Sequence, residues 1–174
     1  MKKLMMVSMI AMSVLSATAH ADEPAPSAGV VKFHGAVVES PCFLSLESAE
    51  QTVELGDIAK SQLDQADGRS PAKPFQIKLE KCDVTDTPTF TISFNGAAGD
   101  KNELSVAESD RGVAVVINDK DGKNVSFDGT TSGDITMVAD QNIIDFTAYV
   151  KKSSGGTVTA GDFTAETNFQ IDYK

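Results

Sequence analysis

Apolar and polar residues alternate along much of this chain with a period of two, the signature of half-buried β-strands. The pattern is longest in the last fourteen residues, Gly161 to Lys174. There Phe163, Ala165, Thr167, Phe169, Ile171 and Tyr173 share one parity, and Asp162, Thr164, Glu166, Asn168, Gln170 and Asp172 share the other. One long strand with a mostly apolar face and a polar face is expected. Near the other end Val31, Phe33, Gly35 and Val37 share a parity just before the first cysteine, which predicts a second strand-like segment. A strand-like segment at each end, in a chain with little catalytic equipment, points to the pairing of strands with other chains.

Between these ends the pattern predicts short strands and turns with little helix. Thr52-Val53-Glu54-Leu55 reads as a short strand stopped by Gly56. Residues 61–74 carry Asp67-Gly68, Pro71 and Pro74 and read as a loop, with one helical turn near Ile58 to Leu63. Phe75, Ile77 and Leu79 alternate with polar residues on the way into Cys82, and Phe90, Ile92 and Phe94 do the same. Residues 112–117 form a continuous apolar run, expected to be a more deeply buried strand. Asp121-Gly122 then predicts a hairpin turn into Val125 and Phe127. Ile144, Phe146, Ala148 and Val150 mark a penultimate strand, and Gly155-Gly156 begins the loop to the last one. Many short strands with frequent turns predict an all-β sandwich of immunoglobulin type.

The first residues change the count of everything else. Lys2 and Lys3 precede an apolar stretch from Leu4 to Leu15, and Ala19-His20-Ala21 has the small-x-small form of a cleavage site, so residues 1–21 read as a signal peptide. Cleavage after Ala21 is preferred, and cleavage after Ala19 competes with it. The apolar stretch is too short to span a bilayer, and no other run is longer, so no direct membrane insertion is expected. The mature chain of 153 residues has 13 basic and 25 acidic residues, a formal net charge of −12. So acidic a surface repels phosphate backbones and anionic head groups, which disfavours nucleic-acid and peripheral membrane roles. Cys42 and Cys82 are the two cysteines, and in an oxidising compartment an even pair reads as a disulfide.

Candidate chemistry is sparse. His34, the single histidine of the mature chain, sits among strand residues away from any nucleophile. No serine elbow, zinc-protease motif or phosphate loop is present, so no enzyme is expected. Asn118 to Lys123 superficially resembles a calcium loop, but with Gly122 in sixth place the first ligand would fall on Ile117. No metal site and no cofactor are expected. The chain lacks Trp, and Tyr149 and Tyr173 lie in strands, so a sugar-stacking platform is missing.

Several blocks together are similar to the chaperone–usher pilins of the type 1 fimbrial family. They are Phe33-His34-Gly35-Ala36-Val37-Val38 ahead of Cys42, Gln51 to Gly56, Phe75 to Leu79 ahead of Cys82-Asp83, and Gly112-Val113-Ala114-Val115. The family also has a glycine fourteenth from the C-terminus and an aromatic next to last, which here are Gly161 and Tyr173. The resemblance covers essentially the whole mature chain. It implies an incomplete immunoglobulin-like β-sandwich that lacks its last strand and is completed by a donor strand from a neighbouring subunit.

On that resemblance, residues 22–40 are the N-terminal extension and 41–174 the pilin domain. Val31, Phe33, Gly35 and Val37 are the donor residues that enter a neighbour's groove, and Gly161, Phe169, Ile171 and Tyr173 belong to the strand that lines the groove or meets the chaperone. Burying Val31, Phe33 and Val37 offers about 5–9 kcal/mol of apolar transfer before ordering costs. The implied partners are a periplasmic pilus chaperone, an outer-membrane usher and identical or related pilin subunits. The implied location is the fimbrium, reached through the periplasm. A mature chain of this length leaves no room for an added receptor-binding domain, and a donor segment is present. A major or shaft-type subunit is therefore favoured over a minor one. The competing readings are a monomeric exported β-sandwich that binds a ligand through its loops, and an exported enzyme.

Overall fold

A computed structural model of the chain describes residues 29–37, 40–86, 89–100 and 102–174. The expected signal peptide and the first residues of the extension, 22–28, lie outside the described residues. The chain divides into two units, Met1–Val37 and Val38–Lys174. The described part of the first unit, residues 29–37, is neither helix nor strand. The strand expected there does not form within this chain, because an extended segment becomes a strand only when a second backbone completes its hydrogen bonds.

Among the described residues the second unit holds ten strands: β1 (Phe43–Leu44), β2 (Lys73–Cys82), β3 (Thr89–Gly96), β4 (Ala98–Asp100), β5 (Glu103–Ser105), β6 (Val113–Asp119), β7 (Asp128–Thr131), β8 (Ile135–Thr136), β9 (Asp140–Lys152) and β10 (Thr167–Tyr173). Two single-turn helices, α1 (Leu46–Ala49) and α2 (Lys60–Leu63), and a 3-10 turn at Ser109–Arg111 complete it. One sheet runs β1-β2-β9-β6-β5-β4, the other runs β10-β3-β7 with β8 also on β3, and every pairing is antiparallel.

The alternation read from the sequence decides which side chains meet between the sheets. Ile77 and Leu79 of β2, Phe146, Ala148 and Val150 of β9, and Phe90, Ile92 and Phe94 of β3 are all buried. Phe94 meets Phe146 edge-on across the interior at 5.3 Å between ring centres, a favoured aromatic geometry. β6 is buried from Val113 to Ile117, as its continuous apolar run predicts. A second, smaller cluster gathers Leu79, Phe90 and Met137 around Cys42 and Cys82, which form the expected disulfide.

Three expectations need correction. Thr52 to Leu55 is not a strand, although Val53 and Leu55 are half-buried and alternate with exposed positions. The expected single strand from Gly161 is a strand only from Thr167, because residues 160–164 bond to the loop at 107–111 and not to a sheet. The Asp119–Gly122 turn forms, with Gly122 N donating to Asp119 O at 3.0 Å, but its return arm makes only a bridge at Asn124. Phe127 is buried beyond that bridge without joining a strand, and β7 starts at Asp128. The helical turn near Ile58 to Leu63 is present as α2. The other helical turn, α1, had no counterpart in the sequence reading. Ser45 caps it, and Lys78 N donates to Ser48 Oγ at 2.9 Å, which ties it to β2.

Candidate functional site: an open sheet edge beside an apolar groove

β10 pairs with β3 on one side only, in register from Thr167↔Gly96 to Tyr173↔Phe90. Lys174 N donates to Thr89 O at 2.9 Å and Thr89 N donates back at 3.5 Å, so these residues exchange both bonds. Every second pair of an antiparallel ladder does so. Asp172, Gln170 and Asn168 therefore turn their backbone groups toward β3. The bonds on the far side of β3 have the same phase: Ser132 N donates to Ile92 O at 2.7 Å, and Gly96 N donates to Phe127 O at 3.2 Å. The backbone groups of Thr167, Phe169, Ile171 and Tyr173 thus face the opposite edge. Among the described residues no strand pairs with that edge.

A groove of about 1310 Å³ lies beside this edge. Leu55 and Ile58 line it from the unpaired segment after α1, Phe75 and Ile77 from β2, Phe94 from β3, and Val115 and Ile117 from β6. Phe163 and Phe169 line it from the C-terminal run. Such a lining suits apolar side chains presented at every second position of an extended strand.

The expected site residues fall in different places. Gly161 and Phe169 line the groove, and the Phe169 ring stands 6.2 Å from that of Phe94. Ile171 and Tyr173 continue β10 but do not line it. They pack toward the cluster around the disulfide, with Tyr173 6.4 Å from the Phe90 ring. Burial pushes the Tyr173 hydroxyl above its usual range, against an opposing bond with Ser40. In the first unit Val31, Phe33 and Val37 are 75%, 93% and 105% exposed, and Gly35 and His34 are exposed as well. Among the described residues no group of three or more His, Cys, Asp or Glu is placed to hold a metal, and no helix is long and apolar enough to cross a membrane.

Two residues absent from the sequence reading shape the start of the C-terminal run. Arg111 Nε donates to Asp162 O at 3.1 Å, and its Nη1 donates to Ala160 O at 3.3 Å. Glu108 Oε2 accepts from Thr164 N at 2.7 Å, and Ala107 N donates to Thr164 O at 2.8 Å. The Thr164 N–H, with help from Arg111, holds the Glu108 carboxyl below its usual range. Gly161 lies against this arrangement at φ 141°, where a Cβ would stand 2.6 Å from the Arg111 guanidinium carbon. The only sequence signal for these contacts is Gly161 itself, since their other half lies about fifty residues upstream.

Two face-to-face antiparallel sheets, a disulfide between the segment before β1 and the end of β2, and a last strand with an open edge define an immunoglobulin-like pilin sandwich. The sequence model of the fimbrial protein family matches residues 31–174, and the chain belongs to that family. The F7-2 fimbrial protein of Escherichia coli is 35% identical over 189 residues, covering all of both chains. The probable major fimbrial subunit LpfA of Escherichia coli O157:H7 is 37% identical over 180 residues, covering all of this chain and 98% of that one. The crystal structure of the P pilus rod subunit PapA superposes with a TM-score of 0.72 at 35% identity, covering 78% of this chain and all of that one. A subunit from the structure of a chaperone–usher pilus gives 0.74 at 36% identity, covering 85% and 96%. The chain is accordingly a structural pilus subunit, exported through the periplasm to the cell surface.

Proposed function

We propose that this subunit polymerises by donor-strand exchange, with Val31, Phe33, Gly35 and Val37 of one copy entering the groove beside β10 of the next. The observation that carries this reading is the open edge of β10 alongside the apolar groove. Unpaired backbone groups next to exposed core are costly and prone to aggregation, so the edge requires a partner strand. A strand laid there would complete the second sheet and bury its own apolar side chains, which is β-augmentation; chaperone–pilin complementation is a known example of it. In this reading a periplasmic chaperone supplies the first strand, and at the outer-membrane usher the extension of the next identical or related subunit replaces it. Gly161 and Phe169 meet the incoming strand, while Ile171 and Tyr173 anchor the end of β10. The subunit performs no catalysis, and adhesion is a property of the assembled fibre. The rod and major subunits among its relatives support a shaft-type role.

The test is a variant that begins at Glu39, followed by circular dichroism through thermal unfolding with and without a peptide of residues 22–40. The variant should be unstable alone, and the peptide should raise its melting temperature strongly. A variant that is stable alone and indifferent to the peptide would show a self-complete domain, and a monomeric binding module would replace this reading.

A further inference from the structure

The open edge does not stop where β10 begins. Along an extended chain the N–H and C=O of one residue point to the same side, and residues two apart share that side. In β10 the even-numbered residues bond to β3. In the run before it the even-numbered Ala160, Asp162 and Thr164 bond to the loop at 107–111, through Arg111 Nη1, Arg111 Nε, Glu108 Oε2 and Ala107 N. The chain bends at Gly161, where φ is 141°, and from Asp162 onward the odd-numbered Phe163 and Ala165 consequently turn their backbone groups to the same side as Thr167, Phe169, Ile171 and Tyr173. Their backbone groups make no hydrogen bond among the described residues.

The sheet ends at Thr167 because β3 ends at Gly96, yet the edge in front of the groove runs on to Phe163. Arg111 and Glu108 supply what a neighbouring strand otherwise would: donors for two carbonyls and an acceptor for one N–H. Arginine suits this task because its planar fork offers several donors in fixed directions, so one side chain reaches two carbonyls of alternate residues. A lysine at this place has one ammonium and reaches one of them well. The loop that carries the two residues is itself fixed. Arg111 N donates to Glu108 O at 2.9 Å, and Thr159 N donates to Arg111 O at 2.9 Å. The absence of a Cβ at Gly161 lets the guanidinium lie flat against the run.

We propose that Arg111 and Glu108 are positioning residues for strand capture, forming a side-chain clasp that holds residues 162–165 extended after the bend at Gly161, so that the acceptor edge continues upstream of β10 to Phe163. The clasp sits on the side of the run away from the incoming strand. It therefore need not open when that strand arrives, and it acts by keeping the edge preorganised, which lowers the ordering cost of binding. This inference rests on the donor-strand reading above.

Amide hydrogen exchange resolved by residue tests both, using the full mature chain with an excess of a peptide of residues 22–40. In the unsubstituted chain the amides of Phe163, Ala165, Phe169 and Ile171 should all gain protection when the peptide is added. In Arg111→Ala the protection gained at Phe163 and Ala165 should fall at least tenfold, while that at Phe169 and Ile171 persists. Arg111→Lys should lie between the two and serves if the alanine variant folds poorly. Glu108→Ala should lose protection most at Ala165. Equal gains at Phe163 and Ala165 in the unsubstituted chain and both Arg111 variants would overturn the clasp while leaving strand capture in place. No gain at Phe169 and Ile171 in the unsubstituted chain would overturn strand capture, and the clasp with it.

Discussion

Replacing both Cys42 and Cys82 with alanine should remove most of the margin by which the domain folds. The bridge spans a separation of 40 residues. Closing a loop of that size contributes about 4 kcal/mol on the chain-entropy model. Both cysteines are nearly buried, against Leu79, Phe90 and Met137, so deleting the sulfurs leaves space that those neighbours fill only in part. By comparison with the loss of one buried methyl group, each deletion adds about 1 kcal/mol. The sum, about 4–6 kcal/mol, stands against the total of about 5–15 kcal/mol available to a domain. For a domain of this size it corresponds to a fall in melting temperature of about 10–20 °C. The assay is thermal unfolding by circular dichroism on the peptide-complemented chain, comparing the oxidised protein, the same protein reduced, and the double variant. The reduced protein should lose only the loop-closure part, about 4 kcal/mol, and the double variant about 2 kcal/mol more for the deleted sulfurs. A fall of less than about 3 °C, equivalent to about 1 kcal/mol, would refute the loop-closure argument.

Glu103→Gln should cost about 1–3 kcal/mol in chemical denaturation, since it removes the charge that meets Lys151 Nζ at 2.6 Å and Ser154 N at 3.0 Å from a nearly buried position. Burial raises the Glu103 carboxyl, but Lys151 and Ser154 outweigh it and hold it below its ordinary 4.5. Its contribution is therefore complete above that value and lost as pH falls through the depressed one, and a pH titration of unfolding should show that loss for the native chain but not for the glutamine variant. Gly112→Ala should destabilise by about 2 kcal/mol or more, measured by the same denaturation, because φ is 63° and the new Cβ would stand 2.1 Å from Thr157 O. Phe33→Ala in the donor peptide should raise its dissociation constant by about 30–150-fold in calorimetry, equivalent to about 2–3 kcal/mol of lost apolar burial; an unchanged constant would place Phe33 outside the groove.

The strands legible in the sequence were those whose two faces differ. Phe75, Ile77 and Leu79, then Phe90, Ile92 and Phe94, then Ile144 to Val150 each declared an inner face, and the structure buries nearly all of them. Alternation reports which side of an extended segment meets the core, and it is silent on whether the edges have partners. Thr52 to Leu55 keeps the alternating burial of a strand without being in one, and residues 161–166 keep the alternating sequence with only Phe163 partly buried. The short strands β1, β5 and β8 exist because a longer neighbour offers them an edge, β4 forms on β5 in turn, and nothing within such short stretches announces that. The disulfide and Gly161 were legible as positions, but the contact that makes Gly161 necessary involves Arg111, a surface-type residue with no periodic signature. The groove was legible only through the resemblance, because a space bounded by residues from many separate segments leaves no local trace.

If the fibre assembles by strand exchange as proposed, the disulfide gains a mechanical role. In a fibre built by strand exchange, tension enters each subunit where its extension leaves the domain, just before Cys42. The first strand met there, β1, has two residues paired to β2 and would peel readily under load. The covalent bridge to Cys82 bypasses it, and the backbone bond from Asp83 N to Pro41 O at 2.8 Å runs beside the bridge. Force therefore passes directly into β2, whose nine register positions along β9 spread it over a ladder in the middle of the sheet. The same bond that closes a loop in the unfolded chain is, in the assembled filament, the rivet through which one subunit hauls on the next.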